Sequence, residues 1–164
     1  MTAAHYQACT DWLNRTSRRA HLFHLLFRWL PILSALCYLG TLGYLFWCQS
    51  PEWPFFLGVP ALTFLAVTLF RKVLNAPRPY DCLSYTPFLP ATPGKGKSLP
   101  SRHTTSAAAI ALAFLYLSPW AGLFFSILAL AVAVSRVIGG VHFVRDVTIG
   151  LLFSLPFALL YFLA

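Results

Sequence analysis

Acid is scarce in this chain: Asp and Glu number four against twelve Lys and Arg, and charged residues of both signs make up only 10% of the 164 residues. A soluble domain usually carries about 25% charged residues. So few charges cannot cover a globule in water, although they can cover the ends of a helical bundle in lipid. Cysteine is equally limiting. Cys9, Cys37, Cys48 and Cys82 form no C-x-x-C pair, and two of them lie in apolar sequence. A disulfide framework and a zinc site are therefore not expected. No secretory signal is expected either, because residues 1–20 are polar and basic and no small-residue cleavage site follows the first apolar run. No internal repeat is evident.

What remains is strongly apolar, with 59% hydrophobic residues, a mean hydropathy of +0.70 and a net charge of +8. On a soluble protein a pI near 9.7 would point to nucleic acid. Here the apolar content overrides that reading. The excess charge fits lipid head groups, topology signals or an anionic substrate instead.

Residues 10–30 alternate Arg15, Arg18, Arg19 and Arg28 with Trp12, Leu22, Phe23, Leu26 and Trp29, as a basic amphipathic helix in the interface does. Pro31 follows, where a helix can start or bend. Apolar runs then cover 31–48, 54–70, 104–118, 119–135 and 147–164. A spanning helix needs about 20 residues; residues 101–103 extend the short third run by a turn. The predicted fold class is all-α, a polytopic membrane bundle of about five transmembrane helices plus an N-terminal interfacial segment over 1–30. The whole of 1–164 is expected to form one membrane-embedded domain.

The one long connection, 71–103, is rich in Pro, Gly and Lys and carries six of the twelve basic residues. With five spans, it shares a membrane face with the N-terminus and with 136–146, while the opposite face has Glu52 and no Lys or Arg. The positive-inside rule places the basic face in the cytoplasm, with the four N-terminal arginines as its cleanest support.

Three polar clusters fall at that face: Arg71, Lys72, Arg78 and Pro79; Pro100, Ser101, Arg102 and His103; and Ser135, Arg136, His142 and Asp146. Ionisable groups at helix ends in so apolar a chain mark a functional site by default. His142 and Asp146 are spaced i, i+4, so a helix would bring them into contact. A carboxylate on one imidazole nitrogen leaves the other free as nucleophile or base; an ordinary helix-surface pair has the same spacing. Gly139 and Gly140 allow a turn just before them. His103 opens a helix, where unpaired N–H groups attract anions, and a histidine there can protonate a leaving alkoxide. Ser101 or Thr104 also suits a plain helix cap. Arg71, Arg78 and Arg136 match phosphate oxygens bidentately, whereas Arg145 and Lys72 read as snorkelling cations.

Taken together, R-x6-R-P from Arg71 to Pro79, P-S-R-H from Pro100 to His103, and S-R-x5-H-x3-D from Ser135 to Asp146 resemble the tripartite signature of the type 2 phosphatidic acid phosphatase superfamily. That signature reads K-x6-R-P, P-S-G-H and S-R-x5-H-x3-D. Arg71 stands at the lysine position, with Lys72 one residue out of register as the alternative cation, and Arg102 replaces the glycine. The resemblance runs from about residue 54 to the C-terminus. It implies that His142 attacks phosphorus, that Asp146 orients it, and that His103 protonates the leaving oxygen and then activates water. It further implies that Arg71 or Lys72, Arg78, Ser101, Arg102 and Arg136 bind the phosphoryl oxygens. It implies no metal and no cofactor. Members typically have six spans and catalysis at the outer face. The expected substrate is a lipid phosphate within the surrounding membrane lipids, such as undecaprenyl diphosphate, phosphatidylglycerol phosphate or phosphatidic acid, with no nucleic-acid partner. Arg102 adds a cation able to reach a second phosphate or an acidic head group. Transfer of the phosphoryl group to another lipid or sugar, and a non-catalytic protein that binds anionic lipids, stay open as alternatives.

Overall fold

The computed structural model describes residues 1–89, 93–94 and 96–163, all helical or loop. The helices are α1 (Ala3–Asn14), α2 (Ser17–Trp47), α3 (Trp53–Leu74), α4 (Pro79–Cys82), α5 (Arg102–Leu117), α6 (Pro119–Ile138), α7 (Val144–Leu152) and α8 (Leu155–Ala158), followed by a 3-10 turn over Leu159–Leu163. Four stretches are long and apolar enough to cross a membrane: Ser17–Trp47, Trp53–Cys82, Pro119–Ile138 and Val144–Phe162. Leu36, Leu39, Leu65, Leu69, Leu123, Ile127 and Leu130 are exposed on these helices. Apolar side chains facing outward suit lipid as the solvent.

Of the two helices outside these stretches, α5 has 16 residues and spans about 24 Å at 1.5 Å per residue. It is the centre of the bundle. Ala107, Ala108, Ala109, Ala111 and Ala113 are all buried, and small residues let neighbouring backbones approach closely in a membrane. One cluster joins Ala107, Ile110 and Phe114 of α5 to Phe56 of α3, Phe125 of α6 and Leu45 of α2. Phe114 stacks on Phe125 at 3.8 Å between centroids.

Two expectations need correcting. The interfacial segment does not end at Pro31. The chain breaks at Arg15 and Thr16, and α2 runs through Pro31 without interruption. At about 46 Å, α2 exceeds the roughly 30 Å hydrocarbon core. Its basic first turns are thus part of the same continuous helix as the apolar span. The last apolar run, 147–164, is not one α-helix. Its helix stops at Leu152, a turn follows at Phe153 and Ser154, and a second short helix begins with Pro156 in its first turn. Proline has no N–H for the preceding turn, and the Ser154 hydroxyl at the break donates to the Thr105 carbonyl of α5 at 3.0 Å.

The polar segments do gather at one end. The Tyr6 hydroxyl of α1 donates to the His142 carbonyl at 3.1 Å, and the Tyr6 ring stacks on Tyr85 of the long connection at 4.9 Å.

Candidate active site

Each part of this end is held by backbone that the local sequence prescribes. Helix α3 stops at Asn75, whose φ of 42° is left-handed, and its last turn delivers Arg71. The chain from Gly96 to Pro100 folds back along this exit, with the Ser98 N–H donating to the Ala76 carbonyl at 2.9 Å. Gly96 has φ +54°, and a Cβ there would sit 2.6 Å from the Asn75 side-chain oxygen. Only glycine fits so close an approach. Asp81 closes the same loop by accepting from the Arg78 N–H at 3.0 Å and the Gly94 N–H at 2.9 Å. Gly140, at φ +74°, turns the chain out of α6 toward His142, and the Tyr85 hydroxyl grips its carbonyl at 2.6 Å. Burial raises the Tyr6 hydroxyl to about 12 and raises Tyr85 as well. Both phenols thus stay protonated and able to donate near neutral pH.

These segments surround a cavity of about 390 Å³ walled by Arg71, Arg78, Arg102, Arg136, His103 and His142, with Phe27, Leu89 and Val141 closing it. Two imidazoles and four guanidiniums from α3, the long connection, α5, α6 and the 141–143 turn thus share one chamber. Lys72 is exposed and outside the wall, so Arg71 is the cation of that turn which faces the chamber. Ser101 is fully buried and also lies off the wall. Its N–H donates to the Asp146 carbonyl at 2.9 Å and its hydroxyl accepts from Thr104 at 3.0 Å, so it ties α5 to α7. The Ser135 hydroxyl bonds back to the Val132 carbonyl at 2.7 Å within α6.

His142 and Asp146 are together, but not as two residues of one helix. His142 precedes α7, which begins at Val144 and carries Asp146 in its first turn. Asp146 is wholly buried and accepts from the Phe143 N–H at 3.0 Å. A carboxylate also suits a helix N-terminus. His142 Nδ1 lies 3.5 Å from Asp146 Oδ2. Between them stands a residue that no motif singled out. Ser98 is fully buried, donates to Asp146 Oδ2 at 2.5 Å and sits 3.3 Å from His142 Nδ1. Serine–imidazole–carboxylate contacts of this kind fix which ring nitrogen carries the proton. The only sequence cue was a serine two residues before Pro100. Burial pushes the His142 imidazole below its ordinary range against the opposing pull of Asp146, so the ring is neutral with Nε2 as its remaining basic nitrogen.

Three of the four guanidiniums are braced by backbone carbonyls. Arg71 donates to the carbonyls of Ser98 and Pro100. Arg78 donates to Gly96 at 3.2 Å and to Val141 at 3.3 Å. Arg136 donates to the Phe27 carbonyl at 3.1 Å and lies 3.6 Å above the Phe27 ring. That carbonyl is available because of Pro31, four residues on in α2, which has no N–H to offer it. The proline inside the helix and the arginine in the chamber are thus one arrangement, which also explains why α2 passes through Pro31 intact. Arg136 is buried, and its Nε has no partner among the described residues. Buried donors without partners are uncommon and call for a ligand or water. Among the described residues, no group of three or more His, Cys, Asp or Glu is gathered.

Comparison with known proteins agrees with this geometry. A family model described as the PAP2 superfamily matches residues 53–164. Among solved structures, LpxE of Aquifex aeolicus superposes with a TM-score of 0.72 at 20% identity, covering 99% of this chain and 95% of that one. A transmembrane PAP2-type phosphatidylglycerolphosphate phosphatase from Bacillus subtilis superposes with a TM-score of 0.65 at 22% identity, covering 96% and 83%. At these identities the likeness is one of fold. No curated protein sequence matches the chain.

Proposed function

The chain belongs to the PAP2 superfamily, and from that premise we propose that it is a multi-pass membrane phosphatase that hydrolyses a lipid phosphomonoester or diphosphate through a phosphohistidine at His142. The observation that carries this reading is the pairing of two features. His142 has Nδ1 turned to Ser98 and Asp146, and the same ring walls a chamber with His103 and four guanidiniums.

In the first step His142 Nε2 attacks phosphorus, an N–P bond forms and the P–O bond to the lipid breaks. The departing oxygen takes a proton from His103. Burial and the neighbouring guanidiniums keep that ring neutral beforehand, and it picks up the proton as the phosphate anion binds. Arg71, Arg78 and Arg136 stabilise the equatorial oxygens as charge builds, already positioned by their carbonyl braces. Nδ1–H, held by Ser98 and Asp146, lets the ring carry the positive charge of the intermediate. In the second step His103 takes a proton from water, the hydroxide attacks phosphorus, the P–N bond breaks and inorganic phosphate leaves. The chamber sits at the end of the bundle where a lipid phosphate resides. The charge bias of the N-terminal arginines supports a cytoplasmic placement of that end; labelling a cysteine introduced at Gly94 with an impermeant thiol reagent, in a chain lacking its own four cysteines, tests this from each side.

The test of function is phosphate release by protein purified in detergent from phosphatidic acid, phosphatidylglycerol phosphate and undecaprenyl diphosphate, with EDTA present. Release by the wild type and none by His142→Ala is expected. Full release by His142→Ala would remove the nucleophile assignment, and dependence on an added acceptor would turn the reading toward phosphotransfer.

A further inference from the structure

Resting on the hydrolase reading above, we propose that Arg102 binds a second, inner phosphate of the substrate, so that the site selects lipids in which another phosphate lies between the terminal one and the hydrocarbon chain. Three observations converge on this. The first is the charge of the chamber. Four guanidiniums face it and, among the described residues, no carboxylate lines it: Asp146 stands behind His142, and Asp81 holds the backbone N–H of Arg78. Four positive charges on the lining itself exceed the roughly two negative charges that a phosphomonoester brings. An inner phosphate supplies the remaining charge.

The second is the state of Arg102. Arg71, Arg78 and Arg136 are each anchored on backbone carbonyls. Arg102, at the first position of α5, makes no hydrogen bond among the described residues and rests against the Phe64 ring, 5.8 Å from its centre. Its donors are uncommitted and its stem packs on an aromatic face.

The third is position. A second cleft of about 300 Å³ runs between α2, α3 and α5, lined by Pro31, Ala35, Phe64, Ala107 and Ile110 among others. It shares two wall residues with the chamber, Arg102 and His103. A lipid with its terminal phosphate at His142 and its chain in this apolar cleft must pass Arg102. The order along the protein is nucleophile, Arg102, apolar groove. The order along a lipid diphosphate is terminal phosphate, inner phosphate, hydrocarbon. A phosphodiester head group ending in a phosphomonoester has the same order.

For a diphosphate the bond broken is the anhydride P–O. The electron pair leaves on the inner phosphate oxygen, and Arg102 stabilises that developing charge while His142 takes the terminal phosphoryl group.

The experiment compares three substrates on matched acyl chains: phosphatidic acid, diacylglycerol diphosphate and phosphatidylglycerol phosphate. A charge-assisted hydrogen bond corresponds to about a 10- to 100-fold effect. For wild type we expect kcat/KM to favour the two-phosphate lipids over phosphatidic acid by about that factor. Arg102→Gln should lower kcat/KM for the two-phosphate lipids about 10- to 100-fold more than for phosphatidic acid, erasing the preference, and Arg102→Lys should restore part of it. A loss confined to the diphosphate would assign the contact to the anhydride-linked phosphate, and an equal loss on both two-phosphate lipids to an inner phosphate of either kind. An equal fall on all three substrates, or an unchanged preference, overturns the inference while leaving the hydrolase reading intact. Absence of phosphate release from all three by wild type overturns both. Thermal unfolding of the variants in detergent separates misfolding, which lowers all three rates together, from altered selectivity.

Discussion

Replacing Pro31 with alanine should make the protein more stable and less active. Proline inside a helix is about 3 kcal/mol less favourable than alanine, partly through the missing N–H. Pro31→Ala restores that N–H opposite the Phe27 carbonyl, which Arg136 now uses at 3.1 Å. Since that carbonyl is already satisfied, the net gain is smaller than the full helix value. A rise of about 2–4 °C in Tm per kcal/mol sets the scale for a chain of this size. On the catalytic side, a hydrogen bond to a charged group contributes about 1.5–3 kcal/mol, and each 1.4 kcal/mol is about tenfold. Arg136 keeps its stack on the Phe27 ring at 3.6 Å, so a fall of about tenfold in kcat/KM for lipid phosphate hydrolysis is expected, not a complete loss. The decisive control is a double-mutant cycle. If Pro31 acts through Arg136, the tenfold effect disappears in an Arg136→Ala background. An undiminished effect in that background, or a wild-type rate in Pro31→Ala, would refute the link between the helix and the chamber.

Two further outcomes follow from the buried polar triangle. Ser98→Ala removes the donor at 2.5 Å from Asp146 Oδ2. It should cost about 1–3 kcal/mol of stability and lower kcat more than KM, since the ring loses its fixed tautomer while the guanidiniums still bind substrate; a change confined to KM would exclude this role. His142 and His103 both contribute to the pH dependence, since burial holds each imidazole below the ordinary value of about 6.5; the variant His142→Gln isolates the proton of His142. As pH falls below that value the unfolded chain takes up this proton before the folded one does. The stability His142 contributes is therefore complete above about 6.5 and is lost as pH drops toward the folded-state value. Tm in detergent should fall between pH 7 and pH 5 more steeply for wild type than for His142→Gln, and equal slopes would contradict the burial of a neutral ring.

Much of this architecture is written in the sequence at the level of type and order. The apolar runs gave the bounds of α3, α5 and α6 to within about four residues, because lipid forces backbone groups to pair within each helix, but they missed the first turns of α2 and the break in the last run. Spacing singled out His142, Asp146, Arg71, Arg78, Arg136 and His103 because reactive groups are rare against so apolar a background, and the structure gathers them at one end of the bundle. The breaks were less legible. Pro31 looked like a terminus, and only the position of Arg136, 105 residues on, shows why the helix continues. Ser98, Tyr6 and Tyr85 escaped notice for a related reason. Their roles are contacts with backbone or carboxylate groups distant in sequence, and a lone serine or tyrosine carries no periodic signal. The i, i+4 spacing of His142 and Asp146 brought the correct pair together on an incorrect assumption, since the contact is made across a loop–helix junction.

The choice of braces explains how one chamber can hold so many arginines and still act on an anion. A carboxylate would fix a guanidinium just as firmly, but it would also cancel the charge that a phosphate needs. A carbonyl fixes the geometry through a dipole and leaves the unit charge in place. With only four acids in the chain, the protein uses main-chain oxygens of Ser98, Pro100, Gly96, Val141 and Phe27. Four of these belong to irregular segments, where carbonyls are not consumed by helical pairing, and the fifth is released by Pro31. The loops, the glycines at 96 and 140 and the proline in α2 therefore serve one physical end. They supply unpaired carbonyls beside an apolar bundle whose own helices have none to spare, and so hold positive charge in position before the substrate arrives.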